Sequence, residues 1–377
     1  MMNQQSRRNP TIFELLGRGW QRPAAIANVR FNADDTAVAF ASADGTIALA
    51  PVAEPEPPES RIRISSDLGQ MRILPRSKPP LPLIATPAQG EGSLPLVPYQ
   101  QSDFLYGSTT GSVTRLTPQG EAGEVLFTLQ GPVLALDHSR SGAVTAASAG
   151  DRLYLARRPG EVQSYASEGG SPIKAIAFSP GGGQVAGLLQ DGLAIWSLER
   201  ETVSLQVIAL PSSPISLSWS GRGDRIACGL EAGGFSLVEL ASGRTSTILD
   251  FPAPVRTVAW SEAAQALVAS GAFRIAAWSV QPGQADTPHT SGALVTGHAG
   301  LVLVDTIAAH PSKDLIAAGY ASGRIVVARL GMRDELTVRL AGGSVTALAW
   351  SADGHHLAIG DLDGNASIVT FPPQIFK

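Results

Sequence analysis

Six histidines, one cysteine and scattered carboxylates are the residues from which chemistry could be built in this chain. Asp353, His355 and His356 come nearest to a ligand set, since imidazole and carboxylate suit zinc. Adjacent residues of a strand point to opposite faces, however, and a metal needs three or four convergent ligands, so this trio does not assemble a site. His138 and His310 stand at turns, His289 lies in a polar loop and His298 belongs to the dipeptide Gly297-His298, and all four read as structural. Cys228, in the apolar run IACG, has no internal disulfide partner and reads as a small core residue rather than a nucleophile. No metal, no cofactor and no catalytic residue is expected.

Other patterns match motifs only in outline. The glycines 181 to 183, with Gly187 beyond, join two apolar strand-like runs, whereas a phosphate cradle leads from a strand into a helix N-terminus. Arg222-Gly223-Asp224 and Asn365-Ala366-Ser367 match an adhesion tripeptide and a glycosylation acceptor. Without a secretory leader neither carries a function; no apolar stretch reaches the length of a membrane span, and a cytoplasmic location without membrane attachment is expected. The formal net charge of −4 gives no global reason to bind a polyanionic backbone, so nucleic acid is not expected as a partner.

The elements behind these residues follow from composition and period. A chain of 377 residues is long for one ordinary domain unless it is a closed repeat. Its 44% hydrophobic and 16% charged residues, with 40 glycines and 27 prolines, suit short strands punctuated by turns. The C-terminal segment VTALAWSADGHHLAIGDLDGNASIVTF reads as strand, polar turn, strand, Asp-Gly turn and strand, and the same pattern recurs upstream. The last residues before each first turn are Phe31, Asp137, Phe178, Trp219, Trp260, Ala309 and Trp350, and the gaps after Asp137 are 41, 41, 41, 49 and 41. Periods in the low forties match four-stranded propeller blades.

From Phe31 to Asp137 the gap is 106, two periods of 41 with 24 residues to spare, and FLYGSTTGSVTRL (104–116) supplies the missing unit with Gly111 at its turn. The surplus falls in the proline-rich pieces PVAEPEPPES and PRSKPPLP, because proline cannot donate to a strand ladder. The units then number eight, each with three visible strands, and fourth strands are expected in RIRI, EVLFTLQG, TSTILDF and GALVTG. One strand is missing after the last unit, where only residues 372–377 remain, while TIFELL (11–16) stands unassigned. The N-terminus is therefore expected to close the ring, which removes exposed strand edges. Seven blades, with the second unit as decoration, is the alternative. Residues 1–10 read as a disordered N-terminus, 11–371 as one propeller domain with a proline-rich insertion within 51–98, and 372–377 as a tail.

The turn strings FNADD, FSPGG, WSGRG and WSADG, with Asp-Gly at Asp44, Asp191 and Asp363, make the chain resemble the WD-repeat β-propeller family over residues 11 to 371. Typical members join a Gly-His dipeptide, a turn Asp, a strand hydroxyl and a Trp in a hydrogen-bonded tetrad. Here that tetrad is nowhere complete: the unit of Gly297-His298 has Ser322 in place of the Asp, and Trp196 and Trp278 are each followed by serine. Packing must then do more of the stabilising. The resemblance implies a rigid, all-β scaffold without catalytic activity that presents its faces to protein or peptide partners.

In that architecture the loops leading into first strands and those joining second to third strands share one face. The large side chains placed there by register are Trp20, Arg22, Phe251, Phe273, Arg274, Tyr320 and Arg324, residue types that dominate interface energies. The insertion is a second surface, locally basic through Arg61, Arg63, Arg72, Arg76 and Lys78. The rival reading is a propeller enzyme or small-ligand sensor that uses the central channel.

Overall fold

The computed structural model describes residues 10–64, 71–139, 141, 143–158, 160–199, 202–280 and 292–376; the expected disordered N-terminus lies outside these except for Pro10, and His289 lies outside them too. Eight four-stranded antiparallel sheets form the blades. Their first strands are Ile26–Phe31, Leu96–Tyr99, Ala135–His138, Ala175–Phe178, Pro214–Trp219, Val258–Ser261, Val304–Ala309 and Val345–Trp350, numbered blades 1 to 8. These first strands touch one another in a closed cycle, blade 8 against blade 1 included, so they ring the axis.

Second strands are mostly apolar, with their polar residues chiefly at the ends. Ala37–Ser42 and Leu315–Tyr320 are buried at every position because a blade is covered on both faces by its neighbours. Alanine suits these strands by letting the sheets approach closely, and glycine goes further. At Gly107, Gly229, Gly319 and Gly360 an added Cβ would collide with Val133, Val255, Val345 and Ile26, the aliphatic plug that opens the following blade. Outer strands such as Val203–Ala209 carry mostly exposed side chains.

The N-terminus closes the ring. Gly17–Gln21 is the outer strand of blade 8, paired antiparallel to Asn365–Thr370 from Gly17↔Val369 to Gln21↔Asn365. The expected strand TIFELL is not that strand: Ile12–Leu16 is a helical turn held by a capping box, in which the Thr11 hydroxyl accepts from Glu14 N (3.2 Å) and the Glu14 carboxylate accepts from Thr11 N (2.6 Å). The capping signature Thr-x-x-Glu outweighed the apolar run after it. Gly364 seats the end of the closing strand, since its φ of 83° and its packing on the Arg22 carbonyl admit no side chain.

The second unit is a full blade, Leu96–Tyr99, Asp103–Gly107, Ser112–Leu116 and Ala122–Thr128, which removes the seven-bladed alternative. RIRI is corrected as well. Ile62–Ile64 pairs with Met71–Ile73 in a separate hairpin, and the fourth strand of blade 1 is the two-residue Ile84–Ala85. Proline at 51, 55, 57 and 58 keeps the chain from folding straight back onto the blade. The other three expected fourth strands contain Ala122–Thr128 in part, Thr245–Ile248 and Ala293–Leu294.

Candidate partner-binding face

In a four-stranded meander, the connections from fourth to next first strand and from second to third strand leave on the same side of the ring. That side carries an uneven distribution of exposed apolar side chains. Phe273 (44% exposed), Leu301 (95%), Val302, Leu340 and Leu362 all stand on its loops in blades 6 to 8, joined by Leu249 where blade 5 leads into blade 6. On the rest of that side, among the described residues, Leu134 alone is a large exposed apolar residue. The tips of blades 6 and 7 are tied together: Gly300 N donates to Phe273 O (2.9 Å) and Val304 N to Ala272 O (2.9 Å). Phe273 and the loop bearing Leu301 are thereby held as neighbours.

Of the seven residues expected on this face, Phe273 and Arg274 are exposed there. The others have intramolecular roles. Tyr320 is only 3% exposed, with the Arg324 guanidinium 5.5 Å from its ring centroid, and burial raises the pKa of its phenol. Arg324 pairs with Glu335. Phe251 fills a gap between blades, 6.2 Å from Phe235 and 5.8 Å from Trp278 between ring centroids. Arg22 donates to the Thr46 hydroxyl (3.0 Å). Trp20 stands on the outer rim, its indole N–H donating to Leu81 O (2.8 Å). Beside it a groove of about 540 Å³, lined by Phe13, Trp20, Gln21, Arg339 and Leu340, runs from the rim towards the loop face.

Leu301, Val302, Leu340 and Leu362 are exposed on this face and are neither aromatic nor arginine, the types expected there. Their signal was weak because GLVLV and RLAGG read equally well as the start or end of a strand.

The basic residues of the insertion are partly turned inward. Arg61 donates to Leu15 O and Leu74 O (both 2.7 Å) and to Glu56 O (3.1 Å), and Arg76 pairs with buried Glu54. Arg18, on the closing strand, reaches Pro51 O (3.0 Å) and Val52 O (2.6 Å), and its burial lowers the guanidinium pKa to about 10. The insertion is thus a clasp over the ring closure.

Three histidines, His138, His310 and His356, are built into the fold. His310 is buried, and its Nδ1 accepts from Ser312 N (3.2 Å) and Lys313 N (3.1 Å) while Nε2 donates to Gly354 O (3.1 Å) in the next blade. His138 and His356 hydrogen-bond Thr145 and Thr370 at 3.0 Å, and burial lowers the pKa of both. Asp353 accepts from Ser351 and from His355 N. Among the described residues no group of three or more His, Cys, Asp or Glu side chains is placed to hold a metal ion. The Cys228 thiol is fully buried and pushed up to about 12 by desolvation, the opposite of an activated nucleophile. The incomplete tetrads leave a trace, since the buried indole N–H groups of Trp196 and Trp278 have no acceptor.

A polar device that the sequence did not reveal joins blades 7 and 8. Arg339, at the end of the outer strand of blade 7, donates to Gly323 O (2.8 Å), Gly343 O (3.2 Å) and the fully buried Asp361 carboxylate of blade 8 (2.9 Å). Asp361 also accepts from the backbone N–H of Asp363 and Asn365 (3.1 and 2.9 Å).

A family model described as the anaphase-promoting complex subunit 4 WD40 domain matches residues 308–372, most of blade 7 and all of blade 8 but its closing strand. No curated protein matches the sequence. The fold is similar to that of the computationally designed Ika8 protein, with a TM-score of 0.68 and 17% identity over 95% of this chain and 99% of that one. It is also similar to the C-terminal WD40 domain of Sif2 (TM-score 0.64, 11% identity, 95% of this chain and 98% of that one). The β-propeller domain of Myceliophteria thermophila Cps50 (Swd1) matches with a TM-score of 0.55 and 14% identity, over 72% of this chain and 94% of that one. At such identities the likeness to these structures concerns the fold alone. The eight-bladed ring makes this chain a β-propeller, and its turn strings at a 41-residue spacing and the family match over its last two blades make it similar to the WD-repeat propellers.

Proposed function

We propose that this protein is a non-enzymatic cytoplasmic scaffold that binds protein or peptide partners through the loop face of blades 6 to 8. The observation that carries the reading is the concentration there of exposed apolar side chains, Leu301 and Phe273 foremost. Scattered single apolar residues are normal on a soluble protein, whereas a contiguous set on neighbouring loops costs solubility unless something covers it. The side chains sit on short loops tied to a rigid sheet array, so little ordering entropy opposes binding. Among the described residues no helix is long and apolar enough to cross a membrane.

The test is affinity purification with mass spectrometry on the wild type and on Phe273→Ala/Leu301→Ala, after circular dichroism has established equal folding. Interface anchors of this kind are worth about 2 kcal/mol each, enough to lose a micromolar partner. A stoichiometric partner held by the wild type and released by the variant is the expected result. A partner held equally by both would place binding elsewhere on the ring.

A further inference from the structure

The charges on the loop face differ from blade to blade, and the exposed arginines stand beside the apolar set. Arg274 follows Phe273 in the loop joining the second and third strands of blade 6, and Arg256 lies in the connection leading into the same blade. Both are exposed, and among the described residues neither forms an ion pair. The loops of blades 3 to 5 on this face present three exposed carboxylates, Glu168, Asp191 and Glu231, against one exposed lysine, Lys174, and single carboxylates, Asp250 and Asp363, are exposed where blade 5 leads into blade 6 and on the blade 8 loop.

We infer that the surface made by Phe273, Leu301 and Val302 with Arg274 and Arg256 takes a short peptide segment carrying bulky apolar side chains with an acidic residue close by. The inference rests on the scaffold reading above and adds the chemistry of the partner. Leu301, fully out in water and held beside Phe273 through the Gly300–Phe273 hydrogen bond, supplies the apolar contact. Two free guanidiniums at the margin select carboxylates and offer each a bidentate partner. The charge balance sets direction: a segment with a carboxylate finds Arg256 and Arg274 over blade 6, and over blades 3 to 5 three exposed carboxylates offset by Lys174 alone. Rim charges of this kind govern partner choice and association rate, while the desolvated apolar anchors hold the complex. A nucleic-acid strand is disfavoured by the same carboxylates, because its phosphates need a continuous basic track.

The test is to pan a displayed random dodecapeptide library against the full chain and to measure the enriched peptides by fluorescence anisotropy. Enriched sequences should carry Asp or Glu within a few positions of Leu or Phe. Their affinity should fall about tenfold in Arg256→Glu/Arg274→Glu at low salt, recover when the peptide's acids are changed to lysine, and depend less on charge at high salt. Enriched peptides without acidic residues, or a charge swap without effect, overturn the inference while leaving the face as the binding site. Peptides that bind Leu301→Asp as tightly as the wild type overturn the face as well. If nothing enriches, the inference fails; a concentration-dependent dimer in sedimentation, abolished by Leu301→Asp, would then identify a second copy as the occupant.

Discussion

The seams between blades 4, 5 and 6 and those on either side of blade 8 solve the same packing problem by different means. In the first region the repeat supplies the recurring contacts. Trp219 donates its indole N–H to Ala177 O and Trp260 to Ser218 O, each at 3.0 Å and across 42 residues, and Val255 plugs the space left by Gly229. Blade 8 keeps these devices, with Trp350 donating to Ala308 O (3.1 Å) and Val345 packed on Gly319, and then adds features that occur once. Arg339 and Asp361 bridge it to blade 7, and the clasp of Arg18, Glu54, Arg61 and Arg76 fixes the strand Gly17–Gln21. A closed ring whose last strand comes from the other end of the chain pays loop-closure entropy at one place only, and that is where the charged, singular contacts gather.

The largest effect is expected at Asp361. Asp361→Ala leaves the Arg339 guanidinium buried without its counter-ion, which costs roughly 3–5 kcal/mol. Adding Arg339→Met to it should recover part of the loss, because a buried pair exchanged for apolar volume is close to neutral. Urea midpoints of the two single variants and the double variant measure this. Additive losses would show that the pair does not act as a unit.

The contrast between the two regions also sorts what the sequence could and could not reveal. Residues that recur were legible: the 41-residue spacing of Trp219, Trp260 and their equivalents marks eight blades, and the shortage of one strand after Thr370 points to closure from the N-terminus. Residues that occur once were not. Arg339 sits in TVRLAGGS like any surface arginine, and its partner Asp361 lies two residues before the Asp-Gly turn that drew attention. Thr11 and Glu14 carry a readable helix signal, a capping box ahead of an apolar run that by itself suits a strand equally well. On the loop face, size and aromaticity were poor guides. Tyr320 ends a strand and is covered, whereas Leu301 has small neighbours on its N-terminal side, Ala299 and Gly300, and stands clear.

A smaller effect sharpens the comparison through the device both regions share. Trp219→Phe and Trp350→Phe each remove one indole hydrogen bond, worth about 1 kcal/mol, together with a modest packing loss. The residues lie in blades 5 and 8 with no common partner, so their costs should be similar and should add within about 0.5 kcal/mol. A much larger loss at Trp350 would mean that the ring around it, His310, Phe371 and Phe376 at 5.0, 5.6 and 6.2 Å between centroids, has taken over the role of the repeat's hydrogen bond.

The smallest effect depends on pH and belongs to the same seam. Desolvation first, then the nearby charges of Lys313 and His355, lower the pKa of His310, against the opposing pull of its bond to Gly354 and of Asp353. Its geometry requires the neutral ring, since Nδ1 accepts from two backbone N–H groups while Nε2 donates. The unfolded chain therefore binds the proton first. The stability His310 contributes is complete above the ordinary histidine value of about 6.5, declines as pH falls below it, and levels off once the folded protein is itself protonated. His138 and His356 shift in the same direction and contribute to the same decline. In His310→Asn the side-chain oxygen keeps an acceptor for the turn but nothing titrates. That variant should start less stable at pH 7.5, for want of the bond to Gly354, and lose less on acidification to pH 5. Thermal midpoints across that range give both quantities, and an unchanged slope would assign the acid sensitivity to the other two histidines alone.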